Sequence, residues 1–269
     1  MATFGFSQAQ LLQNPMLQSE VLNSILNVDE VLQKGYMPFE DTGGAILISY
    51  NRINSYGSTR AAAVSPTGTP TAAAAEFTNH TGRVMVYNAQ VQIPRLYASD
   101  PIFAATQIKA KAHDVGIAFS TDLGASATPA AAVAAISVPG YGSMVSIGQT
   151  ISANDTAITG VLSFAKMDEL ADKVKEVGPK AFILPAKTIR SYRALCRTAG
   201  VSPEAIGLAD WGLPQLAHNG IPVFKNEYLA TTLRPGAALT IDTAQVYCAM
   251  FDTVRGVHGF YNGATALQV

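Results

Sequence analysis

The chain has 269 residues, a formal net charge of -1 and 14% charged residues, against roughly 25% in ordinary soluble domains. That length supports one large domain or two small ones, and without a basic excess tight, sequence-independent binding to phosphate backbones is not supported. Cys196 and Cys248 are the only cysteines, so there is no disulfide framework and no zinc signature; Cys196 lies close to the apolar stripe of a helix and Cys248 in a strand-like run, and each reads as a small buried hydrophobe.

The start, Met1-Ala2-Thr3-Phe4-Gly5, has neither the basic nor the continuous apolar stretch of a signal peptide. Asn14-Pro15 supplies a cap and a proline at the first helical position. Leu17, Val21, Ile25, Val28 and Leu32 then recur at helical spacing up to Gly35, which predicts one amphipathic helix. It reads either as a detachable N-terminal arm or as an ordinary packed first helix.

Residues 45–90 read as an extended hairpin loop. Ala45-Ile46-Leu47-Ile48-Ser49-Tyr50 leads out, and Val84-Met85-Val86-Tyr87-Asn88-Ala89-Gln90-Val91 returns. The tip between them carries Gly57-Ser58-Thr59-Arg60 and a low-complexity run over residues 66–75. An isolated two-stranded hairpin is marginal in water because it buries too little apolar surface to offset its ordering entropy. Such an arm makes physical sense when it lies on another copy of the chain. Low charge with abundant Ala, Gly and Thr suits the same picture, a surface mostly covered by neighbours, although a low-charge enzyme has the same composition.

Asp100-Pro101 repeats the cap-plus-proline signal. Ile108, Ala112, Val115, Phe119 and Leu123 form a stripe that predicts a helix from Pro101 to Leu123, roughly 35 Å long, stopped by Gly124. Gly116 inside it costs up to about 1 kcal/mol. Residues 125–147 are apolar but broken by Pro129 and Pro139, so they do not span a membrane. Residues 131–138 and 144–147 read as strands, and 151–162 is ambiguous.

Met167, Leu170, Val174 and Val177 mark a helix stopped by Gly178-Pro179. Ala181-Phe182-Ile183-Leu184 is a short buried strand. A second helix over 187–199 shows Ile189, Tyr192, Leu195 and Ala199 on one face, with Gly200 as terminator. Ile221-Pro222-Val223-Phe224 is a further strand whose proline favours an edge or a first position. This helix, strand, helix, strand order reads as an α/β core of its own. Residues 238–250 and 254–260 read as two closing strands.

No residue pattern for chemistry emerges. Ser143 in Gly140-Tyr141-Gly142-Ser143-Met144 is misplaced for a nucleophile elbow, and the two glycines give half a dinucleotide fingerprint with no helix opening there. His80, His113, His218 and His258 have no partners at metal-ligand spacing. Asp168 and Glu169 with Lys173 and Lys175 read as a solvated helix face, and Trp211 as a packing anchor. No catalytic, cofactor or metal residue is nominated, and the expectation is a protein that is not an enzyme.

Taken together, the order of N-terminal arm, extended loop, long capped helix, α/β lobe and closing strands resembles the major capsid protein of tailed bacteriophages, whose Hong Kong 97-type fold is shared with encapsulins. Local phrasing is similar in Lys175-Glu176-Val177-Gly178-Pro179-Lys180-Ala181-Phe182-Ile183-Leu184 and in Lys187-Thr188-Ile189-Arg190-Ser191-Tyr192-Arg193-Ala194-Leu195. It is similar again in Gly220-Ile221-Pro222-Val223-Phe224-Lys225-Asn226-Glu227-Tyr228 and in the run from Val246 to Phe260. The resemblance implies an α+β chain: an N-terminal arm over 1–44, the extended loop over 45–90, a peripheral domain with its spine helix over 91–162, an axial domain over 163–237 and closing strands over 238–269. It implies pentamers and hexamers closing into an icosahedral shell around double-stranded DNA, assembled in the host bacterial cytoplasm and located in the virion.

The implied partners are the chain itself, a separate scaffolding protein, a portal, a decoration protein and DNA held by weak non-specific contact, with no membrane and no cofactor. Some members of the family cross-link through a lysine of the extended loop. Here no lysine occurs between Lys34 and Lys109, so a shell would be held by non-covalent contacts. Arg52, Arg60, Arg83 and Arg95 are the basic residues of the loop and its base; they either pair with acidic residues of a neighbour or simply keep the hairpin soluble. Arg60→Glu is expected to lower particle yield without unfolding the subunit, and an unchanged yield would remove Arg60 from the contact. Two other readings stand beside this one. The first is an encapsulin-like compartment whose N-terminal helix recruits cargo; the second is a small-molecule enzyme using residues 140–148 as a ligand loop.

Overall fold

The computed structural model describes residues 23–45, 47–55, 76–83, 87, 89–94, 100–124, 140–145, 149, 151, 162–175, 177–207, 214–229, 231–233 and 242–261. The chain divides into two compact units. One comprises Met1–Glu40, Met85–Gly259 and Val269, the other Asp41–Val84 and Phe260–Gln268.

In the larger unit, residues 23–26 close a helical segment and the chain turns at 27–28 before α1 (Glu30–Gln33). The single helix expected through Leu32 is therefore broken. Asp29 takes an extended conformation and its Oδ1 accepts the Val31 N–H at 3.0 Å, so a new helix is capped where the old one would have continued. Val31 and Leu32 are buried, so this part of the N-terminal region is a packed first helix; residues 1–22 lie outside the described residues.

The spine helix α2 (Pro101–Gly124) has 24 residues and follows its expected bounds. Asp100 Oδ1 accepts the Ile102 N–H at 2.9 Å, which is the capping its position before Pro101 requires. Its buried row runs through Ala104, Ala112, Ser120 and Leu123. α3 (Tyr141–Met144) is a single turn opened by Gly140. A helix does open at the Gly140–Gly142 segment, contrary to the sequence expectation, and Met144 belongs to it rather than to a strand. The expected strand over 131–138 lies outside the described residues.

The sheet that centres this unit has the order β10-β4-β7-β6-β5, where β4 is Lys180–Leu184, β5 Glu204–Gly207, β6 Pro214–His218, β7 Ile221–Lys225 and β10 Tyr247–Met250. β4 and β7 are parallel; the other pairs are antiparallel. α4 (Phe164–Lys173) and α5 (Ala186–Thr198) supply Met167, Tyr192 and Cys196 to one face, against Phe182, Leu184 and Val223. Val31, Leu32, Leu123 and Tyr141 cover the other face with Ala181, Ile183 and Phe224. Residues 181–184 are thus buried on both sides, which is why that strand is continuously apolar rather than alternating.

Three sequence expectations change here. α4 ends at Lys173 with Val174 as its cap, so Val177 lies beyond the helix and is fully exposed. In α5 the buried row is Thr188, Tyr192 and Cys196, and Ala199 is exposed. β7 is central rather than an edge, although it contains Pro222. The Asn219-Gly220 turn, with φ of 49° and 76°, makes His218 and Ile221 the first pair of a tight hairpin. Ala217 and Pro222 are then a non-hydrogen-bonded pair, and the ladder with β4 starts only at Val223, so no N–H is missed at the proline.

β8 (Thr231–Leu233) pairs antiparallel with β9 (Asp242–Ala244), and β1 (Phe39–Asp41) pairs with β11 (Gly259–Tyr261). The expected closing strands are therefore shorter and split, with a turn at 253–255.

The smaller unit is built on a two-stranded ribbon, β2 (Leu47–Ser55) with β3 (Glu76–Arg83). Its outgoing strand is where the sequence placed it and longer. Its returning strand is 76–83 and not 84–91: of the latter, 87 and 89–91 are described and none is in a strand. The register pairs Leu47 with Arg83, Arg52 with Thr78 and Ile53 with Phe77, and shifts between Ile53 and Ser55. Thr42 at its base donates through its N–H to the Tyr261 carbonyl at 2.9 Å.

Candidate functional site

A buried polar cluster forms where α1, α2 and the end of β7 meet. Asp29 is fully buried, with Oδ2 accepting from Asn226 Nδ2 at 2.7 Å and from Ser120 Oγ at 3.4 Å, while Oδ1 holds the Val31 N–H. Next to it, Glu30 Oε2 accepts the Lys225 N–H at 2.8 Å. Asn226 is itself fixed, its N–H donating to the Leu184 carbonyl at 3.0 Å and its Oδ1 accepting the Tyr228 N–H at 2.8 Å. Two adjacent acids of the first helix thus tie the N-terminal segment to the C-terminal end of a central strand and to the spine helix.

Burial raises the Asp29 carboxyl to about 6, and the hydrogen bonds from Val31, Ser120 and Asn226 offset only part of that rise. Burial and the neighbouring Asp29 also raise the Tyr141 phenol, whose buried oxygen has no hydrogen-bond partner among the described residues. The sequence reading missed this junction. The signal was present: Asp29 follows Ile25 by four residues, which places an acid on the apolar arc of the helix drawn through it.

The same segment lies along α2. His113 Nδ1 is 3.4 Å from the Ser24 carbonyl oxygen, and Ile25 packs against Ala112. Gly116 makes the approach possible, since a Cβ there would fall 2.7 Å from the Ile25 carbonyl oxygen and 2.8 Å from Val28 Cγ2. The helix tolerates glycine at this point because another backbone occupies the space.

A second constellation joins α4, α5 and the β6–β7 turn. His218 Nε2 is 2.8 Å from Asp168 Oδ1 and its Nδ1 is 3.1 Å from the Tyr192 hydroxyl, which also donates to the Ala217 carbonyl at 3.2 Å. Asn219 Nδ2 donates to the same Asp168 oxygen at 2.6 Å. An acid, an imidazole and a phenol in a row have the form of a proton relay. However, His218 and Tyr192 are buried and Phe164 stacks on the imidazole with centroids 5.8 Å apart, so this row acts as a latch between elements. Burial raises the Tyr192 phenol first of all.

Among the described residues no group of three His, Cys, Asp or Glu side chains is placed to hold a metal ion, and no helix is long and apolar enough to cross a membrane. Cys196 is buried and Cys248 is partly buried, with its thiol pushed up to about 11 by burial. Of the four arginines expected at subunit contacts, Arg52 and Arg83 stand in the ribbon ladder opposite Thr78 and Leu47; Arg60 and Arg95 lie outside the described residues. Val177 is fully exposed and Val254 is 81% exposed, on two loops joined by the Phe251 N–H to the Pro179 carbonyl at 2.9 Å.

No protein-family model matches the sequence. No curated protein matches it. Among solved structures the chain is similar to the holo-SrpI encapsulin complex of Synechococcus elongatus PCC 7942, with a TM-score of 0.61 and 15% identity, covering 88% of this chain and 71% of that one. At that identity the likeness concerns architecture, and this chain has the Hong Kong 97-type fold of an encapsulin shell protein.

Proposed function

We propose that the chain is a shell subunit, assembling with copies of itself as pentamers and hexamers into a closed, non-covalent particle. The observation that carries this reading is the encapsulin fold, shared over 88% of the chain. The two-stranded ribbon supports it, because strands of 9 and 8 residues with Leu47 left 69% exposed gain their order by lying on another surface. Closure gives each subunit several contacts, so no single one needs to be strong.

An encapsulin-like compartment with protein cargo fits the structural likeness at least as well as the sequence-based expectation of a tailed-phage head around double-stranded DNA. The contents separate them. Sedimentation of the purified protein is expected to show particles far heavier than the 28.3 kDa chain. A protein-like absorbance spectrum with a co-purifying protein supports the compartment; a nucleic-acid spectrum supports the head. A single-chain species at all concentrations, with a melting point shifted by a small ligand, would replace both with the enzyme reading.

A further inference from the structure

α5 contains no acidic residue, and Lys187, Arg190, Arg193 and Arg197 are all exposed on it. At 3.6 residues per turn the three arginines fall within an arc of roughly 60°, spread over about 10 Å of helix and turned away from the buried row of Thr188, Tyr192 and Cys196. Like charges at these spacings destabilise a helix unless something compensates them. Elsewhere compensation is local: Lys111 pairs with Asp114, Lys166 with Glu169 and Lys225 with Glu227. The side chains of Arg190, Arg193 and Arg197 make no ion pair or hydrogen bond among the described residues.

The carboxylates a second copy could offer are scattered over separate elements, exposed Glu40 on β1 and Asp172 on α4 among them. Glu30, Asp100, Asp122, Asp168 and Glu204 already accept hydrogen bonds from their own chain. A row of guanidinium groups, each able to grip two oxygens of one anion, matches a repeating phosphate better than scattered carboxylates. We propose that the exposed arginine face of α5 is a weak, sequence-independent contact for the phosphate backbone of a nucleic acid. Its chemistry is independent of assembly, but its useful strength rests on the shell reading: three phosphate contacts bind weakly, and many copies on one particle add up.

The test compares the wild-type protein with R190Q/R193Q/R197Q and with R190K/R193K/R197K. Anisotropy of a short labelled DNA duplex is followed through a salt series, and sedimentation records assembly separately. The neutral variant is expected to lose most duplex binding and to show a log K against log salt slope shallower by about 2.7, with the lysine variant recovering that slope. Particles of unchanged size in the neutral variant would leave the shell reading standing whichever way the duplex result falls. An unchanged slope overturns the proposal. So does binding of polyglutamate with none of the duplex, which would assign the face to an acidic protein, or loss of particles with duplex binding retained, which would make α5 a subunit contact.

Discussion

Asp29 shows at the scale of one residue how burial outweighs hydrogen bonding. Its carboxyl rises from 3.8 to about 6 when folded, so the native chain holds an extra proton between those values. The contribution is fully present below pH 3.8 and is lost as pH rises through about 6, a change of about 3 kcal/mol. Asp29→Asn is expected to abolish that step: the change in urea-unfolding stability between pH 4 and pH 7 will differ between wild type and variant by about 2.4 kcal/mol. Parallel pH profiles would mean the carboxyl is not the group that titrates. Gly116→Ala tests the neighbouring contact. Helix propensity favours alanine by up to about 1 kcal/mol, but a methyl 2.7 Å from the Ile25 oxygen forces the N-terminal segment away, for a net loss of about 1–3 kcal/mol. A melting temperature equal to or above wild type would contradict the packing described. The burial of Asp29 could be read from its place on the apolar arc, but its partner and the reason for Gly116 could not, because each depends on a chain segment far away in sequence: Asn226 for Asp29, and Ile25 for Gly116.

Elements were more legible than residues where a local signal sufficed. Asp100-Pro101 with its stripe located the spine helix, and the apolar run 181–184 located a core strand. β5 and β6 were missed, yet Asn219-Gly220 between apolar flanks is a strong short-range hairpin signal and would have revealed the β6–β7 pair. The returning strand of the ribbon was misplaced because Glu76-Phe77-Thr78-Asn79-His80 is mostly polar and lacks the apolar alternation that an interior face writes into a strand. The same lack of an interior makes the ribbon testable. Amide exchange over 47–55 and 76–83 is expected to be fast in dissociated subunits and slow in particles. Slow exchange in both would show that the ribbon is ordered without neighbours. The arginine face of α5 could be read from the sequence by the spacing that marked its buried side, but what it lacks, a partner, could be seen only in the structure.

At the scale of the molecule, no single motif identified the architecture, and the encapsulin likeness holds at 15% identity. Assembly leaves little trace in single residues because interfaces built from many modest contacts need no distinctive side chain. The decisive observation is therefore of the assembly itself. Electron microscopy of the chain expressed alone, stained directly after purification, is expected to show closed, uniform, roughly spherical shells. Fields of single chains, at concentrations where the protein is soluble and folded, would contradict the account.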